Sequence, residues 1–303
     1  MSRFVGGNFA GNGREGTGCA TTLTLGEAWR IARQQIDTLD ARLLIEHVAV
    51  CTHAQLLAEP TRRLTTKQTE RLIELIQRRA AGEPLAYLVG TAGFYGREFL
   101  VTPAVLIPRP ETERLVDLAL IHLAANQTSR VLDLGTGSGI IAITLAKQCP
   151  GARVTAVDLS TAALEIARLN ETRHAVDVEF LCSDWYSALS QRRFELIVAN
   201  PPYVADGDAH LQENGLPFEP SWALTGVVAN PEGLSCLKTI INGAPAHLMP
   251  AAWLLLEHGY NQAQIVRNLL KEQCFDVVQS WPDINGILRI SGGRALTTGT
   301  INR

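Results

Sequence analysis

Apolar residues in the first third of the chain recur at helical spacing. Trp29, Ile31, Ala32 and Ile36 fit one face of a first helix, and Ala41, Leu43, Leu44, Ile45 and Val48 fit a second. Thr65 stands three residues before Gln68, the spacing of a capping box. The pairs Leu72–Ile73 and Leu75–Ile76 extend that helix until Gly82 and Pro84 stop it. Residues 23–90 therefore read as a small N-terminal helical bundle. Ahead of it, residues 1–22 are rich in Gly, Asn and Thr without periodicity and are expected to be a disordered leader. Glycine and proline then punctuate the chain at Gly90, Gly93, Gly96, Pro103, Pro108 and Pro110, and residues 94–101 suit a hairpin, so 91–104 read as hairpin and linker.

The pattern changes after a helix near 111–125. Short β-branched runs at Val131–Leu134, Val154–Val157, Val178–Leu181, Leu196–Ala199, Trp253–Leu256, Val277–Val278 and Ile287–Ile290 alternate with helical stretches. Such alternation predicts an α/β domain over 105–294, with a mostly parallel, seven-stranded sheet covered on both faces. Residues 295–303 are left as a tail.

Composition narrows the class. With 46% hydrophobic and 19% charged residues the chain is neither disordered nor membrane-like, and no apolar run approaches the length of a span. The cysteines at 19, 51, 149, 182, 236 and 274 are dispersed, with no CxxC and no metal-like spacing. A long chain of this kind, without a secretory h-region, is expected to be reduced and cytoplasmic. The net charge of −3 offers no general attraction to nucleic acid. The bundle, with nine Lys/Arg against eight Asp/Glu between residues 23 and 90, is not a basic arm.

The first β-branched run leads through Asp133 and Leu134 into Gly135-Thr136-Gly137-Ser138-Gly139 and then a helix. Glycines permit a sharp turn and close backbone approach, and the helix N-terminus adds a positive pole. The spacing is G-x-G-x-G, one residue tighter than the dinucleotide fingerprint. A tight loop opened by an acid suits a nucleoside with a charged amino-acid tail, which Asp133 would anchor directly or through water. The second strand ends in Asp158, placed to accept hydrogen bonds from ribose hydroxyls. The competing reading is that the glycines only shape a turn and Asp158 only caps the helix beginning at Ser160. The third strand leads to Asp184 and Trp185, an acid and a ring suited to an adenine, although Trp185 could equally be packing. Together these features indicate S-adenosylmethionine in a class I, Rossmann-like methyltransferase fold, with NAD the weaker competitor.

The fourth strand ends in Asn200-Pro201-Pro202-Tyr203. Two prolines remove two N–H donors and hold the chain extended, so carbonyl acceptors gather beside the cofactor loop, next to an aromatic ring. A planar –NH2 has a delocalised lone pair and attacks a methyl group poorly. Two acceptors gripping both of its N–H bonds, the Asn200 side chain and the Pro201 carbonyl, would aim the nitrogen and stabilise its developing charge, helped by the face of Tyr203. The seven histidines form no ligand cluster, so no metal is expected.

These segments resemble the HemK/PrmC family. The resemblance is carried by Leu106-Ile107-Pro108-Arg109-Pro110-Glu111-Thr112-Glu113, the loop from Asp133 to Gly139, Asn200 to Tyr203, and Phe218-Glu219-Pro220, and it covers roughly residues 23–294. It implies methylation of the glutamine side-chain amide in the Gly-Gly-Gln motif of peptide chain release factors. The methyl donor would be S-adenosylmethionine, leaving S-adenosylhomocysteine. It also implies cofactor contacts at Gly135 to Gly139, Asp158, Trp185 and Asn200, and substrate contacts at Asn200 to Tyr203. Arg109, Glu111 and Phe94 would line the hinge beside the site, with Arg109 and Phe94 counted among the substrate contacts. The related enzyme acting on a ribosomal protein usually reads Pro-Arg-Ser where this chain has Pro108-Arg109-Pro110. The family often carries a basic residue where this chain has Pro217. The expected partner is a release factor, with no direct nucleic acid, no membrane and a monomeric state. The alternatives are an adenine amino methyltransferase acting on nucleic acid, a ribosomal-protein glutamine methyltransferase, and a non-catalytic S-adenosylmethionine-binding scaffold.

Overall fold

A computed structural model of the chain describes residues 22–123, 128–213 and 215–297. The leader expected over 1–22 and the last residues of the tail lie, save for Thr22 and residues 295–297, outside the described residues. The chain divides into two compact units at Ala80/Ala81.

The first unit holds helices α1 (Leu25–Ala32), α2 (Thr38–Ala49), α3 (His53–Ala58) and α4 (Thr66–Ala80). Reciprocal capping boxes open three of them. Thr24 and Glu27 cap α1, and Thr52 and Gln55 cap α3. At α4, the Gln68 N–H donates to Thr65 Oγ1 and the Thr65 N–H returns to Gln68 Oε1. The buried stripe of α1 is Leu25, Ala28 and Ala32, whereas Trp29, Ile31 and Ile36 are only half-buried. The stripe is therefore rotated from the one the apolar pattern suggests. Small residues allow close helix packing, with Leu44, Ile45, Leu72, Leu75 and Ile76 filling the centre.

The second unit begins with α5 (Leu85–Val89) and an antiparallel hairpin, β1 (Thr91–Phe94) and β2 (Arg97–Leu100). It continues through α6 (Pro110–His122), β3 (Arg130–Leu134), α7 (Ile140–Gln148), β4 (Arg153–Asp158), α8 (Thr161–His174), β5 (Val178–Cys182) and β6 (Phe194–Ala199). After a long loop come α9 (Ser221–Leu224), α10 (Ser235–His247), β7 (Leu248–Glu257), α11 (Ala263–Glu272), β8 (Asp276–Pro282) and β9 (Leu288–Arg294). Strands form at all seven β-branched runs and assemble in the order β5-β4-β3-β6-β7-β9-β8, with β9 running against the other six.

Alternate residues of each central strand feed two separate cores. Val131, Leu196, Val198 and Leu255 join α6 and α7 on one face; Leu132, Leu134, Ile197, Ala199, Leu254 and Leu256 join α10 and α11 on the other. Phe94 and Phe99 lie in the first of these cores, so the hairpin is part of the second unit's hydrophobic interior and not a free connector. Strand order reverses direction between β3 and its neighbours β4 and β6. In open α/β sheets, ligands bind outside the carboxyl ends of the strands at such a point. No described helix is long and apolar enough to cross a membrane.

Candidate active site

The carboxyl ends of β3, β4, β5 and β6 open into one cavity of about 460 Å³. It is lined by Gly135, Thr136, Gly137 and Ser138 after β3, Asp158 after β4, Asp184 and Trp185 after β5, and Asn200 and Pro202 after β6. The segment from Ala104 to Arg109, together with Thr112 of α6, closes one side; Trp222, Val227 and Val228 stand at another. The volume and the mainly apolar lining with a few convergent polar groups suit a small-molecule site.

The loop after β3 has already used most of its donors. The N–H groups of Gly135 and Thr136 both donate to the Val157 carbonyl at 2.9 Å, Gly137 donates to Asp158 Oδ2 at 2.8 Å, and Gly139 donates to the Thr136 carbonyl at 2.9 Å. A pyrophosphate needs such amides free, so this loop suits a nucleoside without one. Gly139 has φ +84°, a conformation that favours glycine, and a Cβ there would press on Ala167 Cβ of α8 at 3.3 Å. It does not line the cavity.

The structure shows Asp158 in a structural role, with Ser160 itself capping α8, and also places it on the cavity wall. Its Oδ1 accepts from the Ser160 N–H at 2.9 Å, just ahead of α8, its Oδ2 accepts from Gly137, and the residue lines the cavity. Burial raises its pKa. Asp133 sits beneath the loop, fully buried, outside the lining. Its Oδ2 accepts from Thr136 Oγ1 at 2.7 Å and its Oδ1 has no hydrogen-bond partner among the described residues. Burial pushes its pKa up to about 7. An acid so placed secures the loop from below and keeps one acceptor in reserve. The Trp185 ring approaches the Gly135 backbone, against which it forms part of the cavity wall. These residues fit a nucleoside carrying a cationic amino-acid tail.

Asn200 reaches the cavity, and its side chain is held from behind. Asn200 Nδ2 donates to Thr112 Oγ1 at 3.1 Å, and that hydroxyl donates to Glu257 Oε2 at 2.7 Å. The Tyr203 hydroxyl donates to Glu257 Oε1 at 3.2 Å. Of this segment, Asn200 and Pro202 line the cavity; Pro201 and Tyr203, expected from the sequence to face the substrate, are not among the lining residues, and the Tyr203 hydroxyl is instead turned to Glu257. The Pro201 carbonyl takes part in no hydrogen bond among the described residues. The Tyr203 carbonyl, by contrast, accepts from Gln262 Nε2 at 3.1 Å, which fixes the exit of the segment.

Phe94 and Arg109 also sit differently from the sequence reading. Phe94 does not reach the cavity; at 2% exposure it packs in the core with Phe99 and Leu115, because a ring on the inward face of the hairpin gains more by burial there. Arg109 does line the cavity but is committed to another carboxylate. Its Nη2 lies 2.5 Å from Oε1 of the buried Glu219, whose Oε2 accepts from the Ile107 N–H at 3.0 Å. The Phe-Glu-Pro element therefore ties down the segment that carries Arg109.

Comparison with known proteins decides the kind of enzyme. The model described as "PrmC N-terminal domain" matches residues 30–90, and the one described as "Methyltransferase small domain" matches residues 114–214. The "Release factor glutamine methyltransferase" of Bordetella pertussis is 47% identical over 264 residues, covering 87% of this chain and 97% of that protein. That of Neisseria gonorrhoeae is 44% identical over 262 residues, covering 86% and 94%. The chain belongs to the release factor glutamine methyltransferase family. It is a methyltransferase, and its sheet is the methyltransferase fold. A methyltransferase structure from Pyrococcus furiosus shares that fold at a TM-score of 0.51, with 16% identity over 77% of this chain and all of the other.

In this release factor glutamine methyltransferase family member, sequence reasoning passed over Thr112, Glu257 and Gln262. Glu257 carried one legible signal: an acid at the carboxyl end of a parallel strand, the edge where sites form. Its neighbour His258 is structural. Nδ1 pairs with the Gly259 carbonyl at 2.9 Å, Nε2 pairs with Ser291 Oγ at 2.7 Å, and burial lowers its pKa.

Proposed function

We propose that this enzyme transfers a methyl group from S-adenosylmethionine to the side-chain amide nitrogen of the glutamine in the Gly-Gly-Gln motif of peptide chain release factors. The observation that carries this reading is the junction of two half-sites in one cavity. A phosphate-free nucleoside site at β3–β5 meets Asn200 in the same cavity, with the unbonded Pro201 carbonyl next to it in the chain. When bound, S-adenosylmethionine supplies an electrophilic methyl group. Gly135–Ser138 would flank its amino-acid tail over the buried Asp133, Asp158 would accept from the ribose hydroxyls, and Trp185 would pack on the base.

The side chains at the end of β6 would then handle the incoming amide. The Asn200 Oδ1 and the Pro201 carbonyl accept one N–H each, which turns the nitrogen toward the methyl carbon and supports the positive charge that grows on it. The new N–C bond forms as the bond from that carbon to sulfur breaks, and the surplus proton leaves the nitrogen for water. No base needs to act first, because the nitrogen becomes acidic only on methylation. Tyr203, its hydroxyl tied to Glu257, backs the segment.

The 47% identity to a named release factor glutamine methyltransferase over nearly all of that protein supports the substrate class. A monomeric cytoplasmic enzyme acting on a protein, and not on nucleic acid, is the corresponding expectation. The test is methyl transfer from labelled S-adenosylmethionine to a release factor in parallel with DNA, RNA and ribosomal proteins, with mass spectrometry locating the methyl group. Label on the Gly-Gly-Gln glutamine alone is the expected result; label on adenine in nucleic acid would overturn the reading.

A further inference from the structure

Two buried side chains at the back of the cavity carry no role in the reading above. Thr112 is fully buried in the first turn of α6, and Glu257, at 1% exposure, ends β7. We propose that Thr112 and Glu257 are positioning residues for methyl transfer, forming a one-way hydrogen-bond relay that turns the Asn200 carbonyl oxygen into the cavity. The inference rests on the acceptor role given to Asn200.

Direction in the relay follows from proton counting. An ionised carboxylate only accepts. The Thr112 hydroxyl has one proton, and its 2.7 Å contact with Glu257 Oε2 takes that proton. Toward Asn200 the same oxygen then offers only a lone pair. The Asn200 amide must present its –NH2 there, at 3.1 Å, which leaves Oδ1 facing the substrate side. The opposite rotamer would place carbonyl against lone pair on one side. On the other it would place –NH2 against the incoming –NH2, two donors with nothing between them to accept. Glu257 Oε1 meanwhile accepts from Tyr203, so a single carboxylate fixes both ends of the Asn-Pro-Pro-Tyr segment.

The relay also has a condition for failure. A proton on the Thr112 side of Glu257 would make that oxygen a donor, push the hydroxyl proton toward Asn200, and reverse the amide. The groups facing Glu257 are Thr112 and Glu111 from α6, Tyr203 from the loop after β6, and Arg289 from β9. The hydrogen bonds and Arg289 favour the charged form. Burial, the largest influence, and the like charge of Glu111 oppose it and push the pKa up to about 7. Turnover should therefore fall as pH drops through neutrality.

The test uses the full chain with a release factor as acceptor and compares parent, Thr112→Val, Thr112→Ser, Glu257→Gln and Asn200→Ala. Thr112→Val and Glu257→Gln should lower kcat by about 10- to 100-fold, as loss of an orienting partner does. Cofactor affinity by calorimetry should stay within about twofold of the parent, since neither residue is assigned to that half of the site. Thr112→Ser, which restores the hydroxyl, should recover kcat to within about threefold of the parent. The acid limb of the kcat profile should disappear in Glu257→Gln. Independently of turnover, the Asn200 side-chain 15N resonance should shift with the same midpoint as the Glu257 carboxyl carbon in the parent and lose that dependence in Thr112→Val. Parental kcat in Thr112→Val, or an Asn200 resonance that ignores Glu257, would overturn the proposal. If Asn200→Ala alone keeps parental turnover, it is the reading of Asn200 that fails, and the relay is decided by the resonances.

Discussion

At the scale of single residues, the site depends on carboxylates with more than one partner. Asp158 accepts from Gly137 and Ser160 while facing the cavity, so its shape and its charge are both in use. Asp158→Asn would set an amide N–H against one of those backbone donors and unlatch the loop or the α8 start. We expect it to weaken S-adenosylmethionine binding by about 1.5–3 kcal/mol, as much as Asp158→Ala, because each leaves a backbone donor unpaired and, on the proposed reading, removes the charge meant for the ribose hydroxyls. Calorimetry that finds Asp158→Asn equal to the parent would remove Asp158 from the cofactor site. Arg109 teaches the complementary lesson. Its partner Glu219 lies far away in sequence, so nothing local revealed that the guanidinium is paired with a buried carboxylate.

At the scale of elements, the buried Asn170 of α8 joins pieces that the chain order keeps apart. Its Oδ1 accepts from the Leu100 N–H at 2.7 Å, and its Nδ2 donates to the carbonyls of Leu100 and Ser138 at 3.0 and 2.9 Å. The hairpin end and the glycine loop are thereby held on one side chain. Asn170→Ala should lower unfolding free energy by about 2–4 kcal/mol, the cost of buried polar groups left without partners. Urea denaturation showing less than half a kcal/mol of change would contradict it. The strands themselves were legible because β-branched runs and turn residues are local signals, and so was the glycine loop, because its function is a backbone conformation. Asn200 was legible for the same reason: two prolines mark its surroundings. Phe94, Thr112 and Asn170 were not, because their places are set by partners from distant elements and leave no period in the sequence; Glu257 showed only as an acid at a strand end. The α1 stripe failed differently. Alanine packs as well as larger residues where helices approach closely, and the apolar pattern gives it less weight than Trp29 or Ile31.

At the scale of the whole molecule, the buried acids leave a signature in stability. Burial pushes both Asp133 and Glu257 up to about 7, from ordinary values of 3.8 and 4.5. A carboxyl group whose folded pKa exceeds its unfolded one holds its proton more tightly when folded. Its contribution to stability is full below the unfolded value and is lost as pH rises through about 7. Each group should lower unfolding free energy by up to about 1.4 kcal/mol per pH unit across that window. Glu257→Gln should make the decline shallower; an unchanged slope would show that Glu257 is not raised. The same burial that costs stability at neutral pH keeps the carboxylate dry behind Asn200, and strong, directional hydrogen bonding depends on that.

The central claim is that Asn200 grips a glutamine amide, and single-turnover methyl transfer to a release factor, followed by mass spectrometry of the Gly-Gly-Gln peptide, tests it most directly. With the parent the methyl group should sit on the glutamine side-chain nitrogen. With Asn200→Ala the rate should fall by about 10²–10³, the scale of losing one preorganised charge-stabilising group, while S-adenosylmethionine still binds. An unchanged rate, or a methyl group on any other residue, would contradict it.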